Sequence, residues 1–299
     1  MRHRLRFART RRGQFGLVIV AIVLAIALLG PFVSPHGPSQ LTGAPGAPPG
    51  GGHLLGTDYL GHDVLSRVLW GGRSVISLAL SATALGFALG TTIGLIAGYS
   101  RGIVDSLLMR SVDVILAFPP LLFFLIIVTS VGYSEGVLIC GVAVVQAPGI
   151  ARIVYSATRE VSVAAYVEAA VARGETTAAI LRRELLPNTL PTLIANLGLT
   201  LTYSVLLTAA VNFLGLGLQP PAANWALMIS ENRTILSLNP WAVVVPATLI
   251  AALTIGVNLV GDAISISLGR SETTVDARVD PAAAIMQGNL IATPQGPET

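Results

Sequence analysis

The sequence contains long apolar runs that can each cross a lipid bilayer. The first, residues 15–33, has 19 residues and no charged side chain, and a spanning helix needs about 20 such residues. Five more runs follow, at residues 74–99, 114–132, 136–155, 190–218 and 241–261. Only 11% of all residues are charged, against about 25% in soluble domains. We therefore predict an all-α polytopic membrane protein with about six transmembrane helices and exclude a conventional soluble enzyme.

The first run also has the basic flank and apolar centre of a secretory signal peptide. It is long for such a segment, and the sequence Gly30-Pro31-Phe32-Val33 at its end is a poor cleavage site because it lacks the usual small residues. We therefore favour a first helix that stays in the membrane.

All 18 basic residues are arginine, and the chain contains no lysine. If the N-terminus is cytoplasmic, 15 arginines lie inside the six-span arrangement, and only Arg67, Arg73 and Arg233 lie outside. The positive-inside rule then places both termini in the cytoplasm. A chain without lysine can form neither a Walker A loop nor a Schiff base. Any ATP hydrolysis must therefore come from a partner.

The spans and this orientation divide the chain into five parts. Residues 1–14 form a basic cytoplasmic N-terminus, residues 15–33 the first helix and residues 34–73 an external loop. Residues 74–268 form the transmembrane core, which includes a cytoplasmic loop at 156–187. Residues 269–299 form a cytoplasmic tail, which we expect to be disordered because it is polar and mixed in charge.

Small residues recur at every fourth position along the second span. At this spacing they share one helix face, along which another backbone can approach closely. The stripe indicates packing within a helix bundle and consists of Ala82, Gly86, Gly90, Gly94 and Gly98.

The external loop has a Pro/Gly-rich linker at residues 38–52, followed by a polar cluster. Asp58, His62 and Asp63 suggest a metal site, and His62, Asp63 and Ser66 suggest a hydrolase. Neither suggestion has supporting ligands or triad members elsewhere in the sequence, so we assign no metal and no catalytic residue. A folded cap on the membrane, or a docking surface for an external partner, is the better interpretation.

The cytoplasmic loop contains the turn signals of two short helices. Gly174 suits a helix C-terminus, and Thr176 or Thr177 suits the N-cap of the next helix. Ala169 and Ala170 keep the first helix thin enough for a groove on another protein. Glu168 and Arg173 can form directional contacts around it. An amphipathic helix on the lipid headgroups, with Arg182 and Arg183 toward anionic lipid, is an alternative for residues 178–186.

These motifs resemble a known family, the C-type permease subunits of dipeptide and oligopeptide ABC importers. The loop motif Glu168-Ala169-Ala170, three residues, Gly174, ten residues and Leu185-Leu186-Pro187-Asn188 resembles the EAA loop of such permeases. The remaining matches are 55–58 with 61–63 and 66–67, 212–221 with Trp225, and 239–241 with 258–262.

The resemblance implies the type I ABC importer permease fold and a location in the bacterial cytoplasmic membrane. It also implies a second, homologous permease subunit, two cytoplasmic ATPases or one fused pair, and an external solute-binding protein. The chain itself would hold no cofactor, since ATP and Mg would bind to the ATPases, and it would not contact nucleic acid. The implied ATPase-coupling residues are Glu168, Ala169, Ala170, Arg173 and Gly174, and the implied external docking residues are Asp58, Asp63 and Arg67.

Polar residues on the later spans are candidates for the translocation path: Asn196, Tyr203, Asn212 and Asn258. Each is equally suited to an interhelical hydrogen bond. We expect dipeptides or short oligopeptides as substrates, with nickel, heme or another small solute as alternatives. An ion-driven secondary transporter is a distant alternative, because it requires charge at mid-membrane and Arg152 is nearly alone there.

Overall fold

The computed structural model describes residues 11–279, without the side chains of residue 12 and residues 265–279. The predicted cytoplasmic N-terminus before residue 11 and the predicted disordered tail after residue 279 lie outside this range. In chain order the helices are α1 (Arg11–Val33), α2 (Val64–Tyr99), α3 (Ile103–Leu116), α4 (Pro120–Val131), α5 (Glu135–Val161), α6 (Ala165–Ala172), α7 (Thr177–Ile180), α8 (Leu186–Phe213), α9 (Trp225–Asn232) and α10 (Trp241–Val279). A π-helical turn, Leu181–Leu185, joins α7 to α8. Helix α10 continues to Val279 and so includes residues 269–279 of the segment that we predicted to be a disordered tail.

Within the described part of the chain, five helical segments are long and apolar enough to cross a membrane: Gly13–Val33, Val64–Tyr99, Glu135–Val161, Thr177–Phe213 and Trp241–Ile264. A sixth span exists only if α3 and α4 are counted together, and these two helices meet at an angle of 89°. The predicted continuous span at 114–132 is therefore wrong. Pro119 and Pro120 explain the break, because proline lacks an N–H and disfavours helical geometry at the residue before it.

The second helix begins ten residues earlier than predicted, at Val64 instead of residue 74. Asp63 is its N-cap and accepts a hydrogen bond from the Ser66 backbone N–H at 2.8 Å. An aspartate at this position satisfies an otherwise unpaired N–H of the first helical turn. The external loop is therefore shorter than predicted, and Arg67 and Arg73 belong to α2.

The small-residue stripe of α2 packs against α5, which confirms the predicted close approach. A Cβ atom added to Gly90 would lie 2.7 Å from the Ala147 carbonyl oxygen, and one added to Gly94 would lie 2.6 Å from that of Ala151. Real Cβ atoms do not approach this closely, so only glycine allows the two backbones to pack at this distance.

A buried polar contact joins α2, α5 and α8 inside the bundle. Ser204 of α8 lies 2.6 Å from the Thr83 hydroxyl of α2 and accepts a hydrogen bond of 2.7 Å from Gln146 Nε2 of α5. These three side chains are buried. Buried polar groups stabilise a fold only when they are paired, so this contact specifies the relative position of the three helices.

Candidate functional sites

The coupling loop, residues 162–185, connects α5 to α8 through the short helices α6 and α7. Helix α6 ends in a turn at Gly174, whose φ is +77°, and two backbone hydrogen bonds close this turn. The Gly174 N–H donates to the Val171 carbonyl at 2.9 Å, and the Glu175 N–H donates to the Ala170 carbonyl at 3.2 Å. This is a Schellman C-cap, which requires a left-handed residue and therefore favours glycine. The predicted helix C-terminus at Gly174 is confirmed.

Thr176 begins the next helix, because its hydroxyl accepts a hydrogen bond of 3.3 Å from the Ala179 N–H. Thr176 is thus the N-cap, and Thr177 is the first residue inside the helix. From Thr177 the chain stays helical through the π-helical turn to Phe213. The coupling loop therefore passes directly into the spanning helix α8.

Helix α6 has one face against its own chain and one face toward solvent. Val167 and Ala170 are buried in a cluster with Ile180 and Leu185, which also contains Leu95 of α2 and Val154 of α5 and so anchors α6 to these spans. The Ala170 side chain is 0% exposed, and its predicted role in ATPase coupling stays a prediction.

The exposed face of α6 carries Glu168 and Ala169, whose coupling role stays a prediction. It also carries three apolar side chains that we did not predict: Val163 just before the helix, Tyr166 and Val171. Exposed apolar groups in a polar loop are a sign of a binding surface. This signal was present in the sequence as three apolar residues in a loop outside the spans.

Arg173 forms an ion pair with Glu175 two residues later. Its Nη2 and Nε atoms lie 2.6 and 3.1 Å from the same Glu175 carboxylate oxygen. The pair is exposed, so it adds little stability. It partly neutralises Arg173, whose contact with a partner stays a prediction.

A cavity of about 490 Å³ lies beside α6, between the C-terminal ends of α2 and α5. Its wall includes Tyr99 of α2, Arg101 from the connection to α3 and Arg159 of α5, and Val163 and Glu168 from the coupling loop. The cavity therefore joins the exposed face of α6 to two cationic side chains.

At the other end of the bundle, the outer charge cluster consists of Asp58, His62, Arg67 and Glu231. Arg67 Nη1 lies 2.6 Å from Asp58 Oδ2 and 2.9 Å from Glu231 Oε2, while His62 Nδ1 lies 2.7 Å from Asp58 Oδ2. The Arg67 side chain is 1% exposed. One buried cation therefore bridges two carboxylates, one of them on α9.

The two carboxylates have opposite pKa shifts. Burial would raise the pKa of Asp58, but hydrogen bonds from His62 and the charge of Arg67 outweigh burial, so its pKa is lowered. Burial raises the pKa of Glu231, and Arg67 offsets this only in part. Asp58 is thus the carboxylate whose charged form the cluster stabilises most.

Asp63 is also buried, and its partners are local. Burial would raise its pKa, but hydrogen bonds from Ser66 and His53 lower it overall. Asp58, Asp63 and Arg67 are thus all buried. An external docking role for these three residues stays a prediction.

Asparagine side chains join residues 55–59 to the end of α9 and to the residues that follow it. Asn232 Oδ1 accepts a hydrogen bond of 2.9 Å from the Tyr59 N–H. Asn239 Nδ2 donates to the carbonyl oxygens of Leu55 and Thr57 at 2.8 and 3.0 Å. Both asparagines are fully buried. The folded cap that we predicted is thus a layer built from two segments that are distant in sequence.

The four predicted path residues have different surroundings. Asn212 is buried, donates to the Thr208 carbonyl and accepts from the Leu218 N–H. Its amide is satisfied locally, and its assignment to the path stays a prediction. Tyr203 is exposed on α8, and Asn196 and Asn258 are half-buried. A path role for these three stays a prediction.

Two protein-family models match separate parts of the chain. Residues 90–270 match the binding-protein-dependent transport system inner membrane component, and residues 2–49 match the N-terminal transmembrane domain of oligopeptide transport permease C. The first match covers more than half of the chain.

The chain belongs to this family of inner-membrane transport components. It is 33% identical to the dipeptide transport system permease protein DppC of Bacillus subtilis, over 88% of this chain and 83% of that protein. It is 32% identical to DppC of Haemophilus influenzae, over 86% and 89%. The chain is therefore a multi-pass inner-membrane permease subunit and not a catalytic subunit.

A solved structure supports the fold. A chain of the MetNI methionine ABC transporter, in an inward-facing conformation, aligns with a TM-score of 0.55 at 22% identity. The alignment covers 69% of this chain and 96% of that chain. The predicted ABC importer permease fold is thereby confirmed.

Proposed function

We propose that this permease forms one half of an ATP-driven importer of dipeptides or short oligopeptides. Its similarity to two dipeptide permeases over most of the chain carries the proposal. The exposed face of α6 supports it, because Glu168 and apolar neighbours face outward from a helix that is anchored at the inner ends of the spans.

The complex that we propose contains a second, homologous permease subunit, two cytoplasmic ATPases or one fused pair, and an external solute-binding protein. Both termini lie in the cytoplasm, as the arginine distribution indicates. ATP and Mg bind to the ATPases, and this chain holds no cofactor. The outer cap faces the binding protein, and α6 faces an ATPase.

Transport then follows from motion of α6. Closure of the ATPases displaces α6, and the buried contacts of Val167 and Ala170 pass the displacement to the inner ends of the spans. The two permease subunits thereby change between inward-open and outward-open arrangements. The substrate passes between the subunits.

A pair of substitutions tests the coupling role. Glu168→Gln removes the charge on the exposed face of α6, whereas Glu135→Gln removes an exposed charge at the opposite end of α5. In reconstituted complexes, Glu168→Gln is expected to reduce transport per ATP hydrolysed while the complex stays assembled. Glu135→Gln is expected to leave this ratio unchanged. Equal ratios in both variants would remove Glu168 from the coupling surface.

The substrate class is tested separately with the cognate binding protein and the full complex. We expect dipeptides to raise the melting temperature of the binding protein and to be taken up in an ATP-dependent manner. Stabilisation by nickel, heme or another small solute instead would replace peptide as the substrate. Uptake by the isolated permease without ATPases would indicate a secondary transporter.

A further inference from the structure

An exposed ion pair lies within the apolar part of the bundle. Arg152 of α5 and Asp113 of α3 approach to 2.5 Å between Nη2 and Oδ1. Helix α5 has 27 residues, which at about 1.5 Å per residue matches a bilayer with its headgroups. Arg152 lies about 13 Å from the end of α5 that leads to the coupling loop, which is deeper than a headgroup layer of about 5–7 Å.

The exposure of this pair is unusual for its depth. The Arg152 and Asp113 side chains are 57% and 53% exposed in this chain. Charged groups within membrane spans are costly next to lipid, and they almost always face the bundle interior or a water-filled cavity. Since this chain does not cover the pair, the pair faces the space that a second subunit would enclose.

A second ion pair continues the same face toward the coupling loop. Arg159 lies 3.3 Å from Asp105, whose carboxylate also accepts a hydrogen bond of 3.4 Å from the Tyr155 hydroxyl. Arg152 and Arg159 are seven residues apart on α5, so they lie on one helix face. We call Asp105, Asp113, Arg152 and Arg159 the inner charge strip. It runs from the loop end of α5 into the apolar layer.

The apolar side chains of α3 lie on other faces of that helix. Ile103 and Leu107 are largely exposed and suit lipid or a partner subunit. The inner charge strip is thus a polar surface beside an apolar one. This division is expected where one helix borders both a hydrated space and an apolar layer.

We propose that the inner charge strip lines the inner half of the translocation path, where Asp113 and Arg152 bind the charged ends of a peptide. The proposal rests on the function proposed above. A zwitterionic peptide has one ammonium and one carboxylate group, which Asp113 and Arg152 respectively complement. The pair can exchange its mutual contact for two contacts with the peptide, whatever the peptide's side chains. Such a site would accept peptides by their backbone termini.

Cysteine labelling of the full complex tests the location. Cys140 is the only cysteine, so Cys140→Ala gives a cysteine-free background in this chain. Asp113→Cys probes the strip, and Ile22→Cys is the matched control. Ile22 is exposed on α1 and lies about 13 Å from Gly13, where that span begins. We expect a charged, membrane-impermeant methanethiosulfonate to label Asp113→Cys at least tenfold faster than Ile22→Cys.

Ser156→Cys tests the ligand, because it lies one turn from Arg152 and leaves the ion pair intact. Dialanine is expected to slow its labelling, whereas N-acetyl-dialanine amide, which lacks both charged ends, is expected not to. Equal labelling of Asp113→Cys and Ile22→Cys would overturn the path assignment, and equal protection by the two peptides would overturn the recognition of termini. ATP-driven uptake of dialanine in the Cys140→Ala background is measured in the same vesicles, and its absence would count against the proposed function instead.

Discussion

Two glycines of the α2 stripe provide a matched test of the packing between α2 and α5. A Cβ added to Gly90 would lie 2.7 Å from both the Ala147 carbonyl oxygen and the Ile150 Cβ, whereas one added to Gly86 would find its nearest atom at 3.4 Å. Substitution by alanine favours the helix by about 1 kcal/mol at either position, so this gain cancels in the comparison. Overpacking typically costs about 1–3 kcal/mol. We expect Gly90→Ala to be less stable than Gly86→Ala by that amount.

Thermal unfolding of the purified complex measures this difference. At about 2–4 °C per kcal/mol, Gly90→Ala is expected to melt roughly 2–12 °C below Gly86→Ala. Both variants are purified with the same partner subunits, so that loss of a partner is not mistaken for loss of packing. Equal melting temperatures would show that α5 can move away from α2 at no cost, and the packing argument would then be refuted.

Three further predictions concern the coupling loop and the outer charge cluster. Gly174→Ala places a side chain at positive φ, which costs about 1–2 kcal/mol, and is expected to speed hydrogen exchange at the end of α6, with Gly174→Asn less affected. Arg67→Met leaves two buried carboxylates without a cation and is expected to cost about 3–5 kcal/mol in thermal or denaturant unfolding, with Glu231→Gln added to it restoring part of the loss. The lowered pKa values of Asp58 and Asp63 mean that their stabilisation is lost as pH falls below about 4, while the raised pKa of Glu231 acts in the opposite direction. Asp58→Asn is therefore expected to flatten the loss of stability in acid, and an unchanged acid profile would contradict this assignment.

The features predicted correctly from the sequence depend on neighbouring residues. The C-cap at Gly174 and the N-cap at Thr176 are set within one helical turn. The stripe on α2 follows from a four-residue repeat, which places small residues on one face of any helix. The length of an apolar run is also a property of neighbouring residues, and it identifies a span because a bilayer has a fixed thickness.

The features missed from the sequence depend on distant residues or on competing local signals. The sequence predicts Arg67 on the external side, but it does not reveal the partner Glu231, which lies 164 residues away. The burial of Ala170 likewise depends on Ile180 and Leu185 beyond the next turn. In the third span the apolar length predicts one helix, but two adjacent prolines break it into two helices that meet at 89°.

The coupling loop has little spare length. Residues 162–164 separate α5 from α6, residues 173–176 separate α6 from α7, and the chain is then helical through α8. Neither connection can absorb a large displacement by straightening, since each residue extends at most about 3.6 Å. A push on α6 must therefore be shared between α5 and α8 at once. Inserting glycines into either connection would show how much of that shared motion the permease needs. Each insertion lengthens the connection on one side of α6 only.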